Sequence, residues 1–478
     1  MSIKVKFIDS IRWNAFSTIG IATLEVMRLF ILLRLLTQYE FGLFALASII
    51  LFYVDALNDI GFSGAIIHKK INVAAKLSSI YWLTVLLNII FAAVVFLLAE
   101  PLASFFEAKE LVDIIKTIAI IFIIGGFGTI YRSVLIKEMR FRVLSVIQFI
   151  GTLVYFIVCI VLAYKGLGVY ALIYGIILKA IVENIGYIIF GREEFDLQFS
   201  MKLRGLGYYF RFGMYQIGER ATNVIRKELD TVLIGKFLGT EMLGVYSVMK
   251  NLIVRPYTLI NPLITNVTLP LMSKINSSKE ELKKIYLQQI NALTTVNAFI
   301  YIFLSAFAIQ FVLFYFGEEW REHILTFSLI AITYLLVSIA NPVGSLVVST
   351  GRADKGFFWN VGVLTIYSIA LFIGVQYNLL MLCVSILVCQ LILFYPNYSY
   401  LVRSLTGASF SEYLKVIFKP SGLMLLSIML PLLLSNYLGP DLTTLVLVCI
   451  ISALLYSGLI YKYQPSSFSQ IKILLGRN

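Results

Sequence analysis

Charged residues are scarce in this chain of 478 residues, in which Asp, Glu, Lys and Arg together account for 14%. Soluble proteins carry about 25%. Hydrophobic residues account for 60%, which is more than a soluble core can bury. The composition therefore excludes a soluble enzyme, a disordered scaffold and a secreted disulfide module. The class that remains is a polytopic membrane protein.

Cysteine and histidine are also rare. The four cysteines lie inside apolar runs, and the two histidines, His68 and His323, are far apart in the sequence. We find no zinc-ligand spacing, no Walker-type glycine loop and no G-x-S-x-G motif. The sequence therefore predicts no metal, no cofactor and no enzymatic activity. The short basic start, Met1 to Arg12, runs into a polar-spotted helix, which favours a retained N-terminus over a cleaved signal peptide.

Apolar runs dominate what remains, and a helix that crosses a bilayer needs about 20 of these residues. Scanning on this basis gives fourteen spans joined by short connections. The predicted spans are 11–36, 41–64, 77–99, 112–133, 143–164, 168–190, 206–234, 242–268, 289–316, 323–350, 357–376, 378–402, 412–436 and 440–461. We number them 1 to 14.

The distribution of Lys and Arg predicts the orientation of these spans. With the N-terminus inside, twenty-six of the 39 basic residues fall at inner ends and only five at outer ends. Both termini are therefore expected in the cytoplasm. The net charge of +13 is mostly a topology signal and an attraction to anionic lipid, so nucleic acid is not an expected partner.

An internal repeat is visible at two places. The segments 31–46 and 233–248 align without gaps, so that Gly42 meets Gly244 and Phe44 meets Tyr246; 133–140 aligns with 345–352 in the same way. The first pair lies at the outer turn between the first two spans of each half, and the second at the inner end of the fourth. Because six spans per repeat is an even number, the halves should be related by an axis along the membrane normal, as in many transporters.

Charged residues inside the spans are the candidates for function, because each costs about 2.5–3.5 kcal/mol at the bilayer centre. They concentrate in spans 1, 2, 7 and 8, which we expect to surround a central cavity. The basic members, suited to an anionic headgroup, are Arg28, Arg220, Arg226, Lys227, Lys250 and Arg255. The acidic members proposed to bind a coupling cation or proton are Glu25, Asp55, Asp59 and Asp230.

A structural explanation of these charges stays open, since salt bridges between helices could lock the fold. With Glu219 and Glu228 included, acids and bases are equal in number in the four spans, so a net cationic cavity is not proved. In span 6, Lys179 and Glu183 are spaced to pair with each other. In span 8, Pro256 and Pro262 are expected to kink or break the helix.

The charged first span, the outer-turn pattern Leu36 to Phe44 with its recurrence at Leu238 to Tyr246, and the basic end of span 4 resemble a known group. The chain resembles the polysaccharide transporter branch of the multidrug/oligosaccharidyl-lipid/polysaccharide flippase superfamily, with the Wzx-type O-antigen, colanic acid and teichuronic acid exporters nearest. The resemblance covers nearly the whole chain.

The resemblance implies an all-α polytopic membrane protein of about fourteen helices: two parallel six-helix repeats forming V-shaped lobes, plus two C-terminal helices. The expected divisions are residues 1–205 for the first lobe, 206–403 for the second, and 404–478 for the additional helices and a cytoplasmic tail. The expected location is the bacterial cytoplasmic (inner) membrane.

The expected function is to flip undecaprenyl-diphosphate-linked oligosaccharide from the cytoplasmic to the outer leaflet by alternating access, coupled to H+ or Na+. Membrane lipid, a polysaccharide polymerase and chain-length machinery are the expected partners. The main alternative is a cation-coupled multidrug exporter of the same superfamily. A membrane glycosyltransferase or polymerase is a third class, which the absence of a large predicted outer loop disfavours.

Overall fold

The computed structural model describes residues 3–58, 74–195, 197–199, 227–275, 278–435 and 437–465, and within these ranges the side chains of 13, 17–52 and 77 onward. Every regular element in this part of the chain is a helix. That is the expected outcome in a bilayer, where a backbone without internal hydrogen bonds has no water to bond.

The first half of the chain forms seven numbered helices followed by a helical segment at 227–237. The seven are α1 (Ile3–Leu32), α2 (Gln38–Asn58), α3 (Ala74–Phe105), α4 (Leu111–Ile118), α5 (Ile120–Lys137), α6 (Phe141–Tyr164) and α7 (Val169–Gly191).

The second half forms nine numbered helices. They are α8 (Thr240–Lys274), α9 (Lys279–Ala306), α10 (Ala308–Tyr315), α11 (Ile324–Ala340), α12 (Val343–Ser349), α13 (Ala353–Val375), α14 (Leu379–Asn397), α15 (Phe410–Ser435) and α16 (Leu442–Tyr463). A 3-10 turn covers Glu318–His323, a π-helical turn covers Tyr398–Arg403, and a single α turn covers Ser404–Thr406.

The predicted fold class is confirmed: the protein is an all-α polytopic membrane protein. Its described helices overlap the predicted spans, of which residues 59–64 and 206–226 lie outside the described part of the chain. Among the described residues, ten helices are long and apolar enough to cross a membrane. Three spans predicted as continuous each contain two helices, the first of which is capped at Ala119, Phe307 and Asn341 respectively. The last of these is followed by Pro342, which cannot donate a backbone hydrogen bond to the preceding turn.

Proline does not break α8. This helix runs from Thr240 to Lys274 with Pro256, Pro262 and Pro270 inside it. Of the two outcomes expected in span 8, a break is excluded and a kink stays a prediction. Each proline removes one intrahelical hydrogen bond, and membrane helices tolerate this loss when neighbouring groups bond the freed carbonyls.

Helix starts are fixed by side chains that bond free backbone N–H groups. At the start of α2, the Thr37 backbone N–H donates to Glu40 Oε2 at 2.7 Å, and the Glu40 N–H donates to Thr37 Oγ1 at 3.3 Å. Ser409 and Glu412 make the same reciprocal pair before α15. This capping box explains why Thr37 and Glu40 stand in the outer-turn pattern.

The repeated segments at the ends of α5 and α12 share one backbone geometry. Met139 and Gly351 both adopt a positive φ, of 57° and 69°. The following N–H groups, of Arg140 and Arg352, donate to Leu135 and Val347 respectively, at 2.9 and 3.1 Å. The second pair of aligned segments, 133–140 and 345–352, therefore forms the same kind of helix end in each half of the chain.

The described residues group into two compact units, Met1–Ser247 and Val248–Asn478. The core of the first joins α3, α5 and α7 through residues that include Ile80, Ile130 and Tyr187. In the second, α9 is buried along most of its length against its neighbours. The three-part division of the chain at residues 205 and 403 stays a prediction.

Close contact at Gly374 gives a test of this packing. A Cβ at this position of α13 would lie 2.5 Å from the Leu382 Cα and closer still to Ser385 Oγ on α14. We expect Gly374→Ala to destabilise the protein by about 1–3 kcal/mol, because backbone cannot give way as a flexible side chain can. Thermal unfolding in detergent measures the effect.

Gly362 on the same helix is the matched control, because a Cβ there would meet nothing within 4 Å. Gly362→Ala should leave the unfolding temperature unchanged or raise it, since Ala favours a helix over Gly by about 1 kcal/mol. Equal unfolding temperatures for the two variants would contradict the packing of α13 on α14.

Candidate substrate-binding site

Six of the ten charged residues predicted to line the site have described side chains. They are Glu25, Arg28, Lys227, Asp230, Lys250 and Arg255. Arg220, Arg226 and Asp59 lie outside the described residues, and Asp55 lies in α2 with only its backbone described.

Arg28 is half-buried on α1, and its guanidinium lies over the ring of the buried Tyr155 on α6. The distance from Cζ to the ring centroid is 3.8 Å. Stacking of this kind contributes about 0.5–2 kcal/mol and uses only the face of the guanidinium. Its N–H donors lie in the plane of the group, which leaves the edge suited to a phosphate oxygen pair.

Contacts along α1 and α6 hold this arginine in place. The Ser17 hydroxyl donates to the Ser145 carbonyl at 3.1 Å, and Gly20 brings α1 close to the Phe149 ring. Further along, the Arg142 guanidinium lies 4.7 Å from the centre of the Trp13 ring. Small residues and hydrogen bonds of this kind are the usual means of joining helices in a membrane.

Asp230 lies in the 227–237 helical segment and is only 3% exposed. Its Oδ2 accepts a hydrogen bond from the Tyr246 hydroxyl at 2.6 Å, and its Oδ1 accepts one from the Thr231 backbone N–H at 2.8 Å. The Thr231 hydroxyl also donates to Glu228 at 2.9 Å. The carboxylate thus joins this segment to the start of α8, while Lys227 one turn earlier is exposed.

The remaining predicted residues lie on α8, where Lys250 is half-buried and Arg255 is exposed. These two belong to the second unit, whereas Glu25, Arg28, Lys227 and Asp230 belong to the first. That all of them line one cavity stays a prediction.

The predicted pairing in span 6 is confirmed. Lys179 Nζ lies 3.9 Å from Glu183 Oε1 on α7. The glycine at 151 leaves room for the Glu183 side chain on α6, since a Cβ there would lie 2.6 Å from Glu183 Cγ. These two charges are therefore packed as a pair between α6 and α7.

Sequence reasoning missed a buried set of neutral polar residues on α9. Its members are Gln289, Asn291, Thr294, Thr295 and Asn297, all at most 5% exposed. The candidate residues were identified by their charge, and span 9 has almost no charged residue in its core. Two signals were available: the dense polar run from Gln288 to Asn297, and a mean hydropathy of 1.2, the lowest of the ten helices that could cross a membrane.

Hydrogen bonds of this set join α9 to α8 and α16, and Asn261 on α8 continues the network to α11. Asn297 Nδ2 donates to Asn261 Oδ1 on α8 at 3.1 Å, and Asn261 Nδ2 donates to the Ser338 carbonyl on α11 at 3.0 Å. On the other side, Gln464 Nε2 donates to Asn291 Oδ1 at 2.6 Å. The Tyr456 hydroxyl on α16 donates to the Thr295 carbonyl at 2.9 Å.

Comparison with known proteins decides the family. The family of polysaccharide biosynthesis proteins matches residues 31–325, which is more than half of the chain. The chain belongs to this family. Among its relatives, the teichuronic acid biosynthesis protein TuaB of Bacillus subtilis strain 168 is 27% identical over 375 residues, covering 78% of each chain. The lipopolysaccharide biosynthesis protein WzxC of Escherichia coli K12 is 27% identical over 421 residues, covering 88% of this chain and 86% of WzxC.

The same fold occurs in a solved structure titled lipid II flippase MurJ in an inward closed conformation. The TM-score is 0.72 at 16% sequence identity, and the match covers 95% of this chain and 99% of that one. This member of the polysaccharide biosynthesis family therefore shares the fold of that flippase structure.

The hydrogen bond between Asn297 and Asn261 gives a stability prediction. Asn297→Ala removes the donor to Asn261 Oδ1, leaving a buried acceptor in the membrane region without that bond. We expect the free energy of unfolding to fall by about 1 kcal/mol, within the range measured for hydrogen bonds between membrane helices. Unfolding in detergent measures this value.

Asn360 provides the matched control, because it is an exposed asparagine on α13. Asn360→Ala should change the unfolding free energy by less than about 0.5 kcal/mol. A loss of the same size at both positions would contradict a specific role for the Asn297 bond.

Proposed function

We propose that the protein flips undecaprenyl-diphosphate-linked oligosaccharide repeat units from the cytoplasmic to the outer leaflet of the bacterial inner membrane. The proposed mechanism is alternating access, with both termini in the cytoplasm. The protein acts as a transporter and not as an enzyme. Family membership supports a role in polysaccharide biosynthesis, and the names of the relatives, teichuronic acid and lipopolysaccharide biosynthesis proteins, support a glycan cargo.

The single observation that carries this proposal is the stacked Arg28. An arginine held on an aromatic face inside an apolar helix pair is oriented before its ligand arrives, which lowers the entropy lost on binding. Its free edge matches the paired oxygens of a diphosphate. In this proposal the sugars occupy the predicted central cavity, and the prenyl chain stays in lipid.

The remaining charged residues take supporting roles in the proposal. Arg220, Arg226, Lys227, Lys250 and Arg255 supply further positive charge for the diphosphate. Among the acids, Glu25 lies one turn from Arg28 on the same face of α1, so a proton or Na+ at Glu25 would act next to the headgroup. A polysaccharide polymerase and chain-length machinery receive the flipped unit.

Arg28→Ala tests the proposal. Loss of one charge-assisted contact of about 1.5–3 kcal/mol should reduce flipping about 10- to 100-fold at subsaturating substrate. Flipping is measured in proteoliposomes as the fraction of labelled lipid-linked oligosaccharide that becomes accessible to an impermeant glycosidase. Arg28→Lys keeps the charge without the planar fork and should be intermediate.

Arg142→Ala is the matched control, since it removes a cation–aromatic contact between the same two helices. It should keep flipping close to that of the parent protein. Full activity of Arg28→Ala at normal expression would contradict the headgroup assignment. Drug efflux that depends on Glu25, Asp55 or Asp59, without any flipping, would instead support the multidrug exporter.

A further inference from the structure

The two aligned outer turns of the repeat lie directly against each other. Gly42 on α2 crosses the start of α8, where a Cβ on it would lie 2.6 Å from the Thr240 carbonyl carbon and closer to the oxygen. A Cβ on Gly244 would lie 2.9 Å from the Gln38 carbonyl carbon, again closer to the oxygen. Real Cβ atoms essentially never come within 3.0 Å of a heavy atom from another helix.

This crossing is reciprocal. Gly42 follows Gln38 by four residues, and Gly244 follows Thr240 by four, so both pairs are related by the 202-residue offset of the repeat. Each glycine therefore lies over the first residue of the other helix. Reciprocal contacts of this kind form where two equivalent surfaces meet around a twofold axis.

The surroundings of the crossing are closely packed. Leu43 and Leu46 on α2, and Leu243 and Val245 on α8, are all buried. Beside them, Lys236 Nζ donates to Glu107 Oε1 at 2.7 Å, which joins the 227–237 segment of the second repeat to the end of α3 in the first. This hydrogen bond lowers the pKa of the Glu107 carboxyl, so the pair persists at neutral pH and is lost only as the pH falls through that lowered pKa.

Backbone conformation does not explain the two glycines. Neither has a positive φ, so alanine fits the helix at both positions and would favour it. What excludes a side chain is the partner's backbone, which cannot rotate away. Alanine would therefore penalise only the state in which α2 and α8 touch, and leave a separated state unaffected.

We propose that the Gly42–Gly244 crossing is the outer gate in its closed state, and that the two glycines are positioning residues that allow it to close. This inference rests on the proposed function for the orientation of the chain and for alternation between two states. A substitution that opens the crossing shifts the population toward the outward-open state.

Accessibility from outside is the direct test, and it requires no transport. Ser48→Cys and Ser247→Cys serve as reporters, because both serines are half-buried and lie beyond the glycines along α2 and α8. Their hydroxyls donate only to carbonyls of their own helices, those of Phe44 and Gly244. Both reporters are introduced into a Cys449→Ser variant, because Cys449 is half-buried and could itself be labelled, whereas the other three cysteines are buried.

Gly42→Ala and Gly244→Ala should each raise labelling of the reporters by an impermeant maleimide on intact cells about tenfold. In inside-out vesicles the labelling should fall. A merely structural role would change labelling in the same direction from both sides. Because the clash is with backbone, truncation by Thr240→Ala or Gln38→Ala should not restore the parent values.

Gly458→Ala is the control, since a Cβ there would meet nothing within 4 Å on α16. It should leave labelling unchanged from either side. Unchanged outside labelling in both glycine variants, an equal rise in the control, or rescue by side-chain truncation would each overturn the gate.

Charge reversal at the neighbouring ion pair keeps the proposal testable if the glycine variants do not fold. Lys236→Glu faces Glu107 with a like charge and should raise outside labelling, and the swap Lys236→Glu with Glu107→Lys should lower it again. No change in labelling on reversal would count against the gate. Full flipping by the Arg28→Ala variant, with gate labelling that responds as expected, would overturn the headgroup assignment alone.

Discussion

The hydrocarbon core of a membrane offers no hydrogen-bond partner, and the rest of this structure depends on that constraint. Every described regular element is helical because only helices satisfy the backbone within one segment here. The same constraint acts on side chains. The Tyr246 hydroxyl bonds Asp230, and the amides of Asn261 and Asn297 bond each other. Polar groups in this protein therefore determine which helices become neighbours.

Contacts between helices depend on a second property of the hydrocarbon core. Apolar side chains gain little by leaving lipid for another apolar surface, so helices associate through close packing and hydrogen bonds. Glycine makes this possible where backbones approach, as at Gly42, Gly244 and Gly374. These positions differ in role. Gly374 lies where α13 and α14 approach each other, whereas Gly42 and Gly244 lie where α2 and α8 cross, at the contact proposed as the outer gate.

The two kinds of polar interior point to different tasks. Charged residues in spans 1, 2, 7 and 8 are costly unless a ligand, an ion or a partner uses them, and Arg28 is oriented on Tyr155 without being enclosed. The neutral polar residues on α9 are buried: Asn297 bonds Asn261 on α8, and the Thr295 carbonyl accepts a hydrogen bond from Tyr456 on α16. These bonds join helices of the second unit, whereas cargo binding is the proposed role of the charged helices.

The sequence by itself determined the class, the spans and the repeat, because each depends on local hydrophobicity or on charges counted along the chain. It also predicted the Lys179–Glu183 pair, which is set by helical periodicity alone. Tertiary structure decided what those signals cannot encode. That Asp230 bonds Tyr246, that Arg28 stacks on Tyr155, and that α8 continues through three prolines all depend on which helices pack together. Gly42 and Gly244 show the difference most directly: alignment revealed that they are equivalent, and only the folded chain brings each against the carbonyl of the other's helix.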